Sequence, residues 1–172
     1  GGQNDLPALA DVGTCVTLGS LTGVIGRRAA YFDGQTLSEI PFEPNQASFD
    51  SVSISPDGET IAYIKNIFTT FPNSARTVRR VRDGQEITLG PGNDRIVVNN
   101  AGEVAVHGFN SIIRYNAGIG SSTITSTDDG LIFQIAAAID IAENGDVAYS
   151  AWVAPTGSFE TRVYRNQSAV LS

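Results

Sequence analysis

The sequence predicts an all-β fold of about four four-stranded units, the plan of a β-propeller. Three observations predict it. A strand–turn–strand pattern recurs with a period of roughly 44 residues, in the range of solenoid and propeller repeats. Its fullest copy is Val52-Ser53-Ile54-Ser55-Pro56-Asp57-Gly58-Glu59-Thr60-Ile61-Ala62-Tyr63, where apolar residues alternate on both sides of an Asp-Gly turn. Further copies run Val97 to Val106 and Ile139 to Tyr149, with a weaker one at Ala8 to Thr17; the turn glycines are Gly13, Gly58, Gly102 and Gly145. Secondly, the third strand of each unit has its own echo, ending in Asp or Asn at a turn: Tyr31-Phe32-Asp33, Val81-Arg82-Asp83, Arg114-Tyr115-Asn116 and Tyr164-Arg165-Asn166. Thirdly, no segment sustains the spacing of a capped amphipathic helix. Even Ala136-Ala137-Ala138 is flanked by Ile132, Ile135, Ile139 and Ile141, whose β-branched side chains favour one long strand.

Taken in order, the units cover approximately 1–45, 46–90, 91–128 and 129–172 of a single domain. The first has expected strands at 7–10, 14–20, 27–32 and 36–40, with Asp33-Gly34 turning the last pair. The second has 50–55, 60–67, 76–82 and 86–89, with a loop from Phe68 to Ser74 and a turn at Asp83-Gly84. The third has 95–99, 103–108, 111–115 and 122–125. The fourth has 132–142, 146–153, 161–165 and 168–171, with a loop from Ala154 to Ser158. Loops between second and third strands vary most, as binding loops on rigid scaffolds do.

A chain of 172 residues with 41% hydrophobic and 17% charged residues is long and apolar enough to bury a core. No apolar run reaches the roughly 18 residues of a membrane helix, so no membrane insertion is expected. A net charge of −7 argues against a general phosphate-binding surface, and no nucleic-acid partner is expected. The single Cys15 occupies a strand position where other units carry Ile61, Val104 or Val147, and is expected to be a buried apolar side chain, with an intermolecular bridge as the alternative. A start at Gly-Gly-Gln-Asn, one Lys and abundant Gly, Ser, Thr and Asn lead to the expectation of an exported chain, extracellular, at the cell surface or periplasmic.

The segment Ser55-Pro56-Asp57-Gly58-Glu59-Thr60-Ile61-Ala62-Tyr63 resembles the Ser-Pro-Asp-Gly repeat of TolB-like β-propellers, and the later copies resemble repeats in secreted bacterial propeller proteins. The resemblance implies that the first strand of each unit lines a central channel and the fourth lies outermost. It specifies fold and leaves activity open. Three closures fit the pattern: a small four-bladed ring, half of a larger ring, or a ring completed or extended by copies of the chain.

Few residues point to chemistry. His107 is the only histidine and reads as an ordinary strand residue. No zinc, calcium-loop or cofactor motif occurs, and Asp128-Asp129-Gly130 reads as a turn. No catalytic residue, metal or cofactor is assigned. Arginine is more informative. Arg76, Arg79, Arg80 and Arg82 crowd one third strand of an acidic chain and form a candidate protein interface. Phe68, Phe71, Trp152 and Phe159 lie in or beside the variable loops and form candidate rim aromatics. Asn166-Gln167-Ser168 matches a glycosylation sequon. The expected function is a non-enzymatic exported propeller module acting through self-association, structural or filament-like, or by binding another protein. The alternative is a propeller that binds or hydrolyses glycans at its rim.

Overall fold

The computed structural model describes residues 7–20, 26–44, 46–70, 73–108, 111–118, 120–126, 131–132, 138–153 and 157–164. Phe71, Asp128-Asp129-Gly130, Arg165, the sequon at Asn166 and the expected strand 168–171 lie outside the described residues.

All described secondary structure is β, in four antiparallel sheets. Sheet 1 contains β1 (Ala8–Leu9), β2 (Cys15–Ser20), β3 (Arg27–Phe32) and β4 (Leu37–Glu39), hydrogen-bonded in chain order. Sheet 2 repeats this order with β5 (Gln46–Ile54), β6 (Thr60–Thr70), β7 (Asn73–Arg82) and β8 (Gln85–Pro91). Sheet 3 does so with β9 (Ile96–Val98), β10 (Val104–His107), β11 (Ser111–Tyr115) and β12 (Ser121–Ser126). Sheet 4 has β13 (Leu131–Ile132), β14 (Ile139–Ile141), β15 (Val147–Val153) and β16 (Ser158–Tyr164).

Turn chemistry fixes this meander. Asp83 and Gly84 both have positive φ, 52° and 70°, so the β7–β8 hairpin closes through the two-residue turn that Asp-Gly favours. In the repeated first hairpins, short polar side chains close the turn locally. Asp57 Oδ1 accepts from the Ser55 hydroxyl at 2.6 Å and from Glu59 N at 3.0 Å, and Asn99 Oδ1 accepts from Glu103 N at 2.9 Å.

One expected element differs. The expected loop from Phe68 to Ser74 is mostly strand: β6 runs to Thr70 and β7 begins at Asn73, with Phe68 paired to Ser74. Thr70 pairs with Asn73 past a register shift after Phe68, so the ladder continues into the segment expected as a loop. Of the expected strand 132–142, the described residues include β13 and β14, while 133–137, with Ala136 and Ala137, lie outside them. Because β16 pairs along the whole of β15, both β13 and β14 occupy the other edge of β15.

The first strands of successive sheets adjoin, β1 beside β5, β5 beside β9 and β9 beside β14. Three apolar cores lie between neighbouring sheets. Val16, Leu18 and Ala29 of sheet 1 meet Phe49, Ile54 and Tyr63 of sheet 2. Ala62, Ile64 and Val78 of sheet 2 meet Ile96, Val98, Val104 and Val106 of sheet 3. Ala105 and Ile112 of sheet 3 meet Ile141, Val147, Tyr149 and Ala151 of sheet 4. Alternating side chains supply both faces of each inner sheet, so sheets 2 and 3 are covered on both sides. Among the described residues no apolar cluster joins sheet 4 to sheet 1. The four sheets stack as an arc.

Candidate functional site

The repeated turns lock the arc at one rim. Asp11 N donates to Pro56 O at 2.8 Å, joining the first turn to the second. Asp57 N donates to Asn100 Oδ1 at 2.8 Å, joining the second to the third. Asn100 N donates to the Glu143 carboxylate at 3.1 Å and 3.2 Å, and Asn99 Nδ2 to Ala142 O at 2.9 Å, joining the third to the fourth. The turn glycines permit this approach. A Cβ on Gly58 would stand 2.5 Å from Thr14 Oγ1, and one on Gly145 would stand 2.5 Å from Arg114 Nη2, so the preceding sheet abuts each turn. Gly13, with φ +82°, has nothing within 4 Å of that position. Glu103, Glu143 and Asp57, carboxylates near the blade turns, are thus engaged in bracing.

The arginines of β7 divide between the two faces of sheet 2. Arg80 is 8% exposed and faces sheet 3, where it donates to Gly102 O at 2.6 Å, Asn116 O at 3.2 Å and Ala117 O at 2.5 Å. Arg82 donates to Asn100 O at 3.1 Å and pairs with Glu59 at 3.5 Å. Arg79 faces sheet 1 and lies 3.6 Å from Glu86. Arg76 is exposed and engages Asp50 at 2.6 Å and Asn93 at 2.5 Å. Buried and tied to backbone carbonyls of the next sheet, Arg80 holds the molecule together and presents no charge to a partner.

A charge cluster centred on a buried lysine lies between sheets 1 and 2, its two carboxylates reaching solvent. Lys65, 2% exposed, places Nζ 2.7 Å from Glu43 and 3.3 Å from Glu86, and the Tyr63 hydroxyl donates to Glu86. The Lys65 ammonium holds the Glu43 carboxyl below its ordinary range by hydrogen bond and charge, against a smaller opposing effect of burial. Burial and the neighbouring Glu86 push the Tyr63 phenol well above its usual range. Beside the cluster is a cavity of about 290 Å³, lined by Tyr31, Ser38, Ile40, Pro41, Tyr63 and Glu86 among others. His107 lies in β10, 2% exposed, and burial with the nearby Arg95 charge brings its pKa down to about 4.

The expected rim aromatics do not converge among the described residues. Phe68, 41% exposed, belongs to sheet 2, whereas Trp152 and Phe159 belong to sheet 4, and sheet 3 packs between them. Trp152 and Phe159 are paired across β15 and β16, with ring centroids 5.1 Å apart at 77°. They lie on the face of sheet 4 turned away from sheet 3.

That face and its counterpart on sheet 1 carry four of the six exposed large apolar side chains among the described residues; Val12 in the first turn and Phe68 in β6 are the others. On sheet 1, Leu9, Cys15, Phe32 and Leu37 stand in one cross-strand row, on the side opposite to the buried Val16. Leu9 is 72% exposed and Leu37 66%. On sheet 4, Ala148, Ser150 and Trp152 of β15 share a face with Val163, Thr161 and Phe159 of β16; Val163 and Phe159 are each 53% exposed. Cys15, expected to be buried, is half-buried, on a side that no described sheet covers. No sequence motif marks these faces. The signal that could have found them is the strand alternation itself, with apolar residues on both faces of the first and last units as in the inner ones.

No protein-family model matches the chain, and no curated protein matches it. Solved structures do. Hydrazine synthase from Kuenenia stuttgartiensis is similar with a TM-score of 0.59 and 11% identity, over 94% of this chain and 58% of that one. A gluconolactonase from Xanthomonas campestris is similar with a TM-score of 0.51 and 11% identity, over 83% of this chain and 52% of that one. The chain therefore spans a little over half the length of these neighbours. At such identity the likeness concerns the fold, which is β-propeller-like; a closer kinship with TolB-like proteins is not part of it. The expectation that the chain is not an enzyme is corrected by the gluconolactonase, an enzyme built on this fold. That expectation rested on missing motifs, and propeller sites assemble from loops of different blades, where no local spacing reveals them.

Proposed function

We propose that the chain is a propeller module whose role is protein contact, by self-association or by binding another protein, through the outer faces of sheets 1 and 4. The observation that supports this most directly is the apolar row Leu9–Cys15–Phe32–Leu37, open on the side where inner sheets are covered. Contiguous exposed apolar surface of this kind marks contact sites. The arginines of β7 contribute less to the proposal than the sequence suggested, since Arg80 serves the sheet 2–sheet 3 contact. A place outside the cell belongs to the same proposal and is supported by composition alone, with one Cys and 18 Gly in the chain.

Light scattering across micromolar concentrations tests it. The particle mass is expected to rise with concentration, and Leu37→Asp or Phe159→Asp is expected to suppress the rise. A mass of one chain throughout, with immobilised wild-type chain retaining no protein that the two variants fail to retain, overturns the reading.

A further inference from the structure

The four sheets can be superposed on their hydrogen-bonded turns. Ala10 N donates to Thr14 O, Ser55 N to Thr60 O, Asn99 N to Glu103 O and Ala142 N to Asp146 O. Thr14, Thr60, Glu103 and Asp146 therefore correspond. The next residues, Cys15, Ile61, Val104 and Val147, all face the preceding sheet. The residues after those, Val16, Ala62, Ala105 and Ala148, all face the following one. Of the six such positions with a neighbouring sheet, Val104, Val147, Val16, Ala62 and Ala105 are 0% exposed, whereas Ile61 is half-buried although it packs against sheet 1. Cys15 and Ala148, at the two open ends, are half-buried. Across the third strands the same contrast holds. Arg80 and Arg114, paired with Ala62 and Ala105, are 8% and 7% exposed, whereas Val163, paired with Ala148, is 53% exposed.

The head face of sheet 1 and the tail face of sheet 4 are thus the two halves of a contact that the molecule makes three times internally. We propose that their occupant is a second copy of this chain, the tail face of one copy packing on the head face of the other as sheet 2 packs on sheet 3. The proposal rests on the protein-contact reading above and specifies partner and geometry.

The turns carry the same logic. At the third and fourth turns, the second turn residue, Asn100 or Glu143, presents a side-chain oxygen to a backbone N–H of the turn before. Asp11 holds this position in the first turn and is exposed. On a head-to-tail neighbour its carboxylate meets the N–H of Glu143, and the tail sheet covers Gly13, the one turn glycine of the four with open space beside it. Each face has an apolar row with charge beside it: Asp140 stands opposite Ala148 on the tail face, and Arg28 and Glu39 pair at 3.4 Å on the head face, so the contact has to accommodate these groups as it closes. The contact is heterologous, joining different surfaces. Two copies of four sheets close an eight-sheet ring, within the range of known propellers, in which no end face stays open.

Thiol crosslinking tests the geometry. Wild-type chain, whose one thiol is Cys15, is mixed with the double variant Cys15→Ser/Ser150→Cys and treated with a short bismaleimide. The expected product joins Cys15 of one copy to the new thiol at position 150 of the other. Leu37→Asp in the wild-type partner, or Phe159→Asp in the double variant, is expected to cut its yield at least ~10-fold, with the thermal unfolding of each chain unchanged, because both residues are exposed in the single chain. A protein that assembles yet crosslinks Cys15 to Cys15 overturns head-to-tail packing and leaves the protein-contact reading standing. So does a chain that stays single at every concentration but retains another protein through these faces. A chain that stays single and retains nothing overturns both.

Discussion

Val104 and Cys15 occupy the same place in their sheets, yet one is fully buried and the other half-buried. The difference comes from neighbours. Val104 has sheet 2 against it, with Ala62, Ile64 and Val78, whereas the corresponding side of sheet 1 faces nothing described. The centre of the arc and its ends are thus one repeat in two environments. In the centre, apolar residues on both faces and the turn-to-turn hydrogen bonds are all satisfied. At the ends the same pattern leaves one face over. A repeat cannot bury both faces of every copy unless the array closes or something caps it.

Substitutions can break this comparison. Ile64→Ala, at a fully buried central position, is expected to cost about 2–5 kcal/mol of unfolding free energy in denaturant titration. Leu37→Ala on the head face is expected to cost under about 0.5 kcal/mol in the single chain. Equal losses would mean that the head face is covered in the single chain.

Acid tests the centre alone. The folded chain keeps His107 neutral down to about pH 4, whereas an ordinary imidazole takes up its proton near pH 6.5. The unfolded chain therefore binds more protons in that window. Stability is fully present above about pH 6.5 and falls as pH drops towards 4, by on the order of 3 kcal/mol in total. Glu43, held low by Lys65, adds loss in the same direction as its carboxyl protonates. Thermal melts from pH 7 to pH 4 check the fall, and His107→Gln should flatten it relative to wild type.

The smallest contrast separates two arginines of one strand. Arg80→Ala leaves the carbonyls of Gly102, Asn116 and Ala117 without their donor and is expected to cost about 1–3 kcal/mol. Arg76→Ala removes an ion pair between an exposed guanidinium and the largely covered Asp50 carboxylate, and is expected to cost about 1 kcal/mol. Paired denaturation curves check the difference. An inverted order would remove Arg80 from the sheet contact and return β7 to the outer surface.

Much of the plan was legible beforehand because it depends on local chemistry. Asp83-Gly84 takes the only backbone that a two-residue hairpin with positive φ at both residues allows. The alignment of Cys15 with Ile61, Val104 and Val147 holds in the hydrogen-bonded register for the same reason, since it follows from turns a few residues away. The segment around Phe68 differs from its sequence expectation because ladder pairing between Phe68 and Ser74 extends the strands through it. The role of Arg80 was beyond local reading altogether. Its acceptors lie 22, 36 and 37 residues away, in another sheet.

The sequence by itself determined the strands, their order within each sheet and the turns that join them, because these obey rules acting over a few residues. Only the tertiary structure decided which face of each sheet is covered. Alternation makes both faces apolar without saying which neighbour arrives, and a cross-strand row such as Leu9–Cys15–Phe32–Leu37 exists only once four strands stand side by side. Burial belongs to the contact between sheets, and at the two ends of the arc that contact requires a surface from beyond the four sheets.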